Sequence, residues 1–482
     1  MTVELTGRDL DRDAVVRVAR DGEPVHLAEA SRAHMTRTRA VVRDAVARGD
    51  AIYGTTTAVG VLKRVGIEPD AADRYASWMI GHHVVGQGPD AGRDVVRATM
   101  LRLANHVAEG SAGVRPELAD RLIEALNARE TPRVRIIGSI GQADLSPMAE
   151  LADALFDGFP LESGEGTALI ANNAFSSAWA ALAVADVEAL LDTMDVAGAL
   201  SLEGLAANPT MLHPAIGTVR PYPGLQRTLA RLRRLLTGSA IFDPGMARQL
   251  QDPLTFRNLP HIQGACRDVL EHVDRQLAIE LNASQGNPIV VPEEDRVISV
   301  ANFDVLPLAA ALDYLRIVLA TALTASAERT VKALGTPWSG LPTGLVPRAG
   351  TAEAGLTYLS LTAQSLAVEA RLAASPVSFE LVSTTHAEGI EDRTTMAPLA
   401  ARRLAEMTDL GAGIVAIELA VAAQAAQLRG LRLGTWTGRA HAAIRRVVPF
   451  LDVGDHVPDM GPLIELVRRG ELRTGDTDAD GA

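Results

Sequence analysis

Five segments of this 482-residue chain bring glycines, amides and titratable side chains together outside the long apolar runs, where chemistry is usually placed. Tyr53-Gly54-Thr55-Thr56-Thr57-Ala58-Val59-Gly60 couples a tyrosine and three hydroxyl residues to two glycines. Such a loop can carry a phenol into a cleft, and a phenol acting as base needs nearby positive charge to lower its pKa from about 10. A tyrosine packed beside a turn is the plainer alternative. Gly138-Ser139-Ile140-Gly141-Gln142-Ala143-Asp144-Leu145-Ser146-Pro147 leads into a helix, with Asp144 or Ser146 suited to cap it and Pro147 to its first turn. In Gln251-Asp252-Pro253-Leu254-Thr255-Phe256-Arg257-Asn258, the planar fork of Arg257 can clamp a carboxylate or make a surface ion pair. Asn282-Ala283-Ser284-Gln285-Gly286-Asn287-Pro288 clusters amides of the kind that cap and turn a chain. His386-Ala387-Glu388-Gly389-Ile390-Glu391-Asp392-Arg393 offers carboxylates for acid–base work or for holding an amine. No second cluster has helical metal-ligand spacing, and the adjacent His82 and His83 diverge on a helix, so no metal is expected.

The elements that must hold these loops read as helices. Hydrophobic residues make up 47% of the chain and aromatics 4%, so the apolar residues are mainly Ala, Leu, Val and Ile. Ala and Leu are strong helix formers. Amphipathic spacing predicts helices over 26–48, 70–85, 92–109 and 116–129. Longer ones follow over 174–206, 224–237, 259–283, 306–334, 352–374, 394–408, 411–430 and 437–449. The one strand signal is a hairpin, 289–292 against 296–300, across an acidic turn. The expected fold is all-α: a loop-rich helical head over 1–173, an antiparallel bundle of long helices over 174–450, and a short helix with a disordered tail over 451–482.

The formal net charge of −13 argues against nucleic acid and anionic membrane surfaces as partners. The basic run at Arg231, Arg233 and Arg234 reads as a solvated helix face. The apolar stretch from Gly411 to Leu428 contains Glu418 and two glutamines, and reads as a buried bundle helix rather than a membrane span. A single cysteine, Cys266, precludes an intrachain disulfide, and the acidic N-terminus lacks a signal-peptide pattern. Both fit a cytoplasmic protein.

In this order, the segments resemble the histidine and phenylalanine ammonia-lyase family over about residues 26 to 450. Tyr53, Gly54, Thr57 and Gly60 match its Tyr-Gly-x-x-Thr-Gly-x-Gly pattern, and His83 falls on its histidine. Val219 to Gly224, Gln251 to Arg257, Asn282 to Pro288, Ala301-Asn302-Phe303 and Ile390-Glu391-Asp392-Arg393 resemble its later motifs. The resemblance implies a lyase with Tyr53 as base, His83 recognising the side chain, Arg257 clamping the carboxylate and Glu391 in polar contact with substrate. Asn172, Asn287, Phe303 and Gln142 are expected to join them as substrate-binding residues. It also implies a homotetramer with shared sites.

The departure lies in the electrophile. The family cyclises an internal Ala-Ser-Gly to a methylidene-imidazolone within Gly-Ser-x-Gly-Ala-Ser-Gly-Asp-Leu-x-Pro. Here residues 138–147 are one residue shorter and no hydroxyl residue occupies the triad. The supporting asparagine aligns to Ala171, one step from Asn172, and the supporting tyrosine to Leu254. The expectation is an enzyme without cofactor, running elimination, addition or isomerisation on a small amino-acid-derived carboxylate. A non-catalytic binder of such an acid is the alternative, and an unusual cyclisation a third reading.

Overall fold

A computed structural model describes residues 2–379 and 386–473. The expected tail after Gly470 falls mostly outside these residues. Helices carry most of the described residues, so the fold is all-α, and among these residues there are three small two-stranded sheets. The chain divides into two compact units. The first is Met1–Ala185, Val273–Asp313 and Pro376–Arg402; the second is Asp186–His272, Tyr314–Ser375 and Arg403–Ala482.

The first unit is built around the helix Arg93–Glu109, whose residues from Val95 to Ala108 are all buried. A helix buried all round must find partners for its polar side chains. Arg97 therefore donates to the carbonyls of Val18, Ala19 and Leu126. Arg102 donates to the carbonyls of Glu280 (2.9 Å) and Ala283 (2.6 Å), and Asn105 to that of Leu281. These bonds satisfy the last carbonyls of the helix Leu259–Glu280 and fix where the Asn282–Pro288 segment begins. The helix Pro116–Asn127 starts on a proline and buries Leu118, Ala119, Leu122, Ile123, Ala125 and Leu126, a stripe at helical spacing. The expected hairpin forms in register Ile289↔Ile298 and Val291↔Arg296, with Asp295 at φ 49° closing the turn.

One helix, Ala397–Arg429, which belongs to the second unit from Arg403 onward, replaces the two expected over 394–408 and 411–430. Gly411 does not end the helix. A Cβ there would stand 2.5 Å from Leu190 Cδ2, so the glycine admits a neighbouring side chain rather than a break. Among the described residues, three helical stretches, Glu165–Leu205, Leu306–Leu334 and Ala397–Arg429, are long and apolar enough to cross a membrane by length and composition. Their most apolar windows are 83%, 61% and 89% buried within the protein, and the middle of the last carries a charge. Glu418 receives Arg329 Nε at 2.6 Å, Arg329 Nη2 at 2.8 Å and the Ser201 hydroxyl at 2.8 Å, all buried.

The basic run departs from expectation. Arg231 is buried against Asp195 at 3.1 Å, because it shares the buried face of the helix Pro223–Leu235 with Thr228, Leu232 and Leu235. Of the three, only Arg233 is exposed; Arg234 is half-buried.

Candidate active site

The first unit gathers the tyrosine loop, the 138–147 turn, the 282–304 segment and the loop carrying Glu391. The tyrosine loop is tight: the carbonyl of Ile52 accepts the N–H groups of Thr55, Thr56 and Thr57. Gly54 is required at φ 69°, since a Cβ there would lie 2.2 Å from Thr167 Oγ1. Thr167 in turn donates to the Gly54 carbonyl at 2.9 Å and contacts Met79 Sδ at 3.5 Å, tying the loop to the helix Ala72–His83.

Two phenols then receive successive amides of this loop. Tyr53 Oη accepts Gly60 N–H at 2.8 Å, and Tyr75 Oη accepts Val59 N–H at 3.1 Å. Tyr53 is half-buried. Desolvation raises its pKa above the usual tyrosine value; the Gly60 bond opposes this, and the negative charge of Glu391 adds to it. Tyr75 is raised by desolvation as well. His83 sits in the last turn of the same helix as Tyr75. Its Nδ1–H donates to the Met79 carbonyl at 2.7 Å, which places the neutral ring's lone pair on Nε2. His82 is exposed, as divergence on a helix requires.

The loop around Glu391 is bound to the others from two sides. Glu388 pairs with Lys63 (3.4 Å) and Arg64 (3.2 Å), just after the tyrosine loop. Arg393 pairs with Asp304 at 3.0 Å, and Thr395 and Met396 donate their amides to the Ile140 carbonyl. Ala387 and Glu388 both adopt left-handed conformations, at φ 47° and 60°, a strain that an over-determined site can hold. Phe303, half-buried, precedes Asp304, whose backbone bridges to Gln142.

Within the 138–147 turn, the Gly141 carbonyl accepts Thr395 Oγ1–H at 2.7 Å and Asn173 Nδ2–H at 3.4 Å. Gly141 has φ 80°, and a Cβ on it would meet Thr395 Oγ1 at 2.2 Å. Gln142 and Ala143 follow, Ala143 at φ 58°. Gln142 Nε2 and Asn173 Oδ1 are buried without a hydrogen-bond partner among the described residues. Asp144 stands at the N-cap position of the helix Leu145–Leu155 but makes no side-chain cap bond. Its carboxylate instead accepts Ser176 N–H (2.7 Å), Ser176 Oγ–H (2.8 Å) and Ser139 Oγ–H (2.9 Å). Complete burial pushes its pKa up to about 6.

This turn bears on the methylidene-imidazolone. That group requires a serine between small residues, whose hydroxyl is lost as water while its Cβ becomes the methylidene. The only serine from 138 to 145 is Ser139, next to β-branched Ile140, with its hydroxyl engaged by Asp144 and the Gly141 amide. The residues present do not fit the group.

The remaining sequence-derived residues differ in what they present. Asn172 spends its amide locally, donating to the carbonyls of Ala168 and Leu169 and accepting Ala174 N–H at 3.0 Å. Its neighbour Asn173 is the one that reaches the turn. Asn287 accepts Val300 N–H at 2.9 Å and so anchors the hairpin. Arg257 belongs to the second unit, on the short helix Leu254–Arg257, and donates to the Asp252 carbonyl at 2.8 Å and to Gln251 Oε1. Tyr75, Asn173 and Thr395 were not singled out from sequence. The one available signal was the doubled amide Asn172-Asn173 before a long helix.

The comparisons agree with this architecture. A profile of the aromatic amino acid lyases matches residues 10–159 and 155–446. The chain is 36% identical to a histidine ammonia-lyase of Symbiobacterium thermophilum over 98% of its length and 97% of that protein's. It is 35% identical to a histidine ammonia-lyase of Chloroflexus aurantiacus, with the same coverage of each. Among solved structures it is similar to an ergothioneine-degrading ergothionase of Treponema denticola, in complex with desmethyl-ergothioneine sulfonic acid. The TM-score is 0.92 and the identity 27%, covering 98% of this chain and 99% of that one. A tyrosine aminomutase of Streptomyces globisporus superposes with a TM-score of 0.90 at 26% identity, covering 98% of each. The helical architecture, the ordered site loops and this full-length likeness make the chain a member of the aromatic amino acid lyase family.

Proposed function

We propose that this lyase works without the methylidene-imidazolone, removing a proton from an amino-acid-derived carboxylate with Tyr53 and expelling a group that needs no electrophile to leave. The observation that carries the reading is the pairing of a kept base with a changed turn. Tyr53 holds Gly60 N–H on its oxygen, while Gly141-Gln142-Ala143 occupies the turn that builds the electrophile in relatives. Ordinary deamination of histidine or phenylalanine needs that electrophile, because the β-proton is weakly acidic and ammonia leaves poorly. A substrate with a more acidic proton or a better leaving group does not. The likeness to a protein that degrades ergothioneine makes modified amino acids of that kind the first compounds to try.

In this mechanism the Tyr53 phenolate, stabilised by Gly60 N–H, takes the proton and becomes the neutral phenol. A substrate ammonium or quaternary amine near Glu391 supplies the positive charge that brings the phenol's pKa down. Glu391 and the Nε2 atom of His83 orient the departing group, which His83 protonates only as the imidazolium. Gln142, Asn287 and Phe303 line the substrate. We further propose a cytoplasmic homotetramer with shared sites. The buried thiol of Cys266 is consistent with that compartment.

A non-catalytic binder remains the second reading, favoured by two observations. The Tyr53 phenol is raised rather than lowered in the free protein, and the Arg257 guanidinium is already engaged by Asp252 and Gln251.

The deciding experiment incubates wild type and Tyr53→Phe with L-histidine, L-phenylalanine, L-tyrosine, ergothioneine and a metabolite extract, followed by mass spectrometry. Turnover of a modified amino acid by wild type alone supports the proposal. Wild-type turnover of histidine at the rate of its relatives overturns it. Saturable binding with no product selects the binder.

A further inference from the structure

Two buried polar side chains outside the catalytic set converge on one small cavity. His106, on the helix Arg93–Glu109, is 1% exposed, and neither ring nitrogen has a hydrogen-bond partner among the described residues. Arg39, on the helix Glu29–Ala47, is 6% exposed. Its Nη atoms are spent on the Gly113 carbonyl (3.3 Å), the Ser163 carbonyl (3.1 Å) and Glu162 (2.8 Å), yet its Nε–H is buried without a partner among the described residues. Both residues line a cavity of about 20 Å³, together with Thr55, Gly286 and Asn287. A water needs roughly 10–15 Å³ of such space and two to four polar partners.

We propose that Arg39 and His106 bind one ordered water in this cavity, and that the water braces the Gly286-Asn287 turn against the base of the tyrosine loop. The chemistry of the two partners selects the ligand. Arg39 Nε–H donates and needs an acceptor. A neutral imidazole needs both a donor and an acceptor, and one water accepts from arginine while donating to the bare ring nitrogen. Burial and the nearby Arg102 charge hold the His106 pKa down to about 3, so the ring keeps its lone pair. A halide offers no proton to that nitrogen, and the Arg39 charge is already balanced by Glu162. A carboxylate or phosphate exceeds the cavity. Gly286 belongs to the arrangement, since a Cβ on it would lie 3.6 Å from the imidazole.

The site does not depend on Tyr53 being a base, and its test does not read activity. Crystals of the full chain are grown in a bromide salt, with diffraction to about 2 Å and anomalous data at the bromine edge. The expected result is one peak within about 3.2 Å of both Arg39 Nε and a His106 ring nitrogen, without anomalous signal. A bromide peak there, no peak, or a His106 ring turned onto a protein partner overturns the proposal. His106→Leu, crystallised in the same way, is expected to lose the peak and to show higher displacement factors over residues 286–288 than wild type; unchanged factors overturn the bracing role. If that variant does not fold, the wild-type map decides the water alone, and Arg39→Lys, which removes the Nε donor but keeps the charge, decides the brace by the same comparison.

Discussion

The phenol oxygen of Tyr53 accepts the amide proton of Gly60, seven residues along the same loop, at 2.8 Å. The loop thus provides its own donor for the anion a tyrosine base must become. Burial and Glu391 outweigh that donor in the free protein and raise the phenol's pKa. A base acts deprotonated, so kcat/KM, which reports the free enzyme, should climb with pH across the neutral and mildly alkaline range. The expected slope is about one log unit per pH unit up to the usual tyrosine pKa of about 10. A profile flat from pH 7 to 9 would exclude Tyr53 as the titrating base.

Exchange of Tyr53 for Phe removes the phenol oxygen and nothing else. Turnover should drop by about 10²–10⁴-fold, the usual contribution of a positioned base. Circular dichroism and light scattering should match wild type, since a half-buried hydroxyl on a loop contributes little to the core.

The intact mass of the purified chain should equal the mass of its unmodified sequence. A deficit of two waters, mapped by peptide mass to residues 138–147, would show that the turn cyclises after all.

Glu418 and Arg329 form a buried pair in the second unit. Replacing Glu418 with Ala leaves a guanidinium without its counter-charge in an apolar interior. The expected loss is about 3–5 kcal/mol of stability, read by urea denaturation. Paired replacement of both residues with apolar side chains should cost much less.

Asp144 titrates in the opposite sense to an ion-paired carboxylate. Its folded pKa lies above the unfolded value, so the folded state holds the proton more tightly. Its contribution to stability is therefore greatest below pH 4 and declines as pH rises to about 6, by roughly 3 kcal/mol. The stability difference between wild type and Asp144→Asn should change across that window and stay level above it.

Much of the site was legible in the sequence because its motifs are local. Tyr53-Gly54, the 138–147 turn and Asn282–Pro288 are each a few residues whose backbone demands declare themselves. The uses of their side chains were not legible. Asp144 has the composition of a helix cap, yet Ser176 and Ser139 take its oxygens. Asn172 and Asn173 are chemically the same residue, and only the path of the chain turns one inward on its own helix and the other onto Gly141.

By itself the sequence determined the all-α class, the positions of the helices at 93–109, 116–127 and 306–334, the hairpin at 289–298, and the order of the family's motifs. Periodicity and turn chemistry act over a few residues and can be read there. Tertiary structure alone decided that Gly411 continues a helix, that Arg231 is buried, and that Tyr75 shares the tyrosine loop with Tyr53. It also brought Thr395 to the Gly141 carbonyl, 254 residues away in the chain. Hydrogen bonds and ion pairs form between whichever groups packing brings within about 3 Å, and no local pattern encodes which segments will meet.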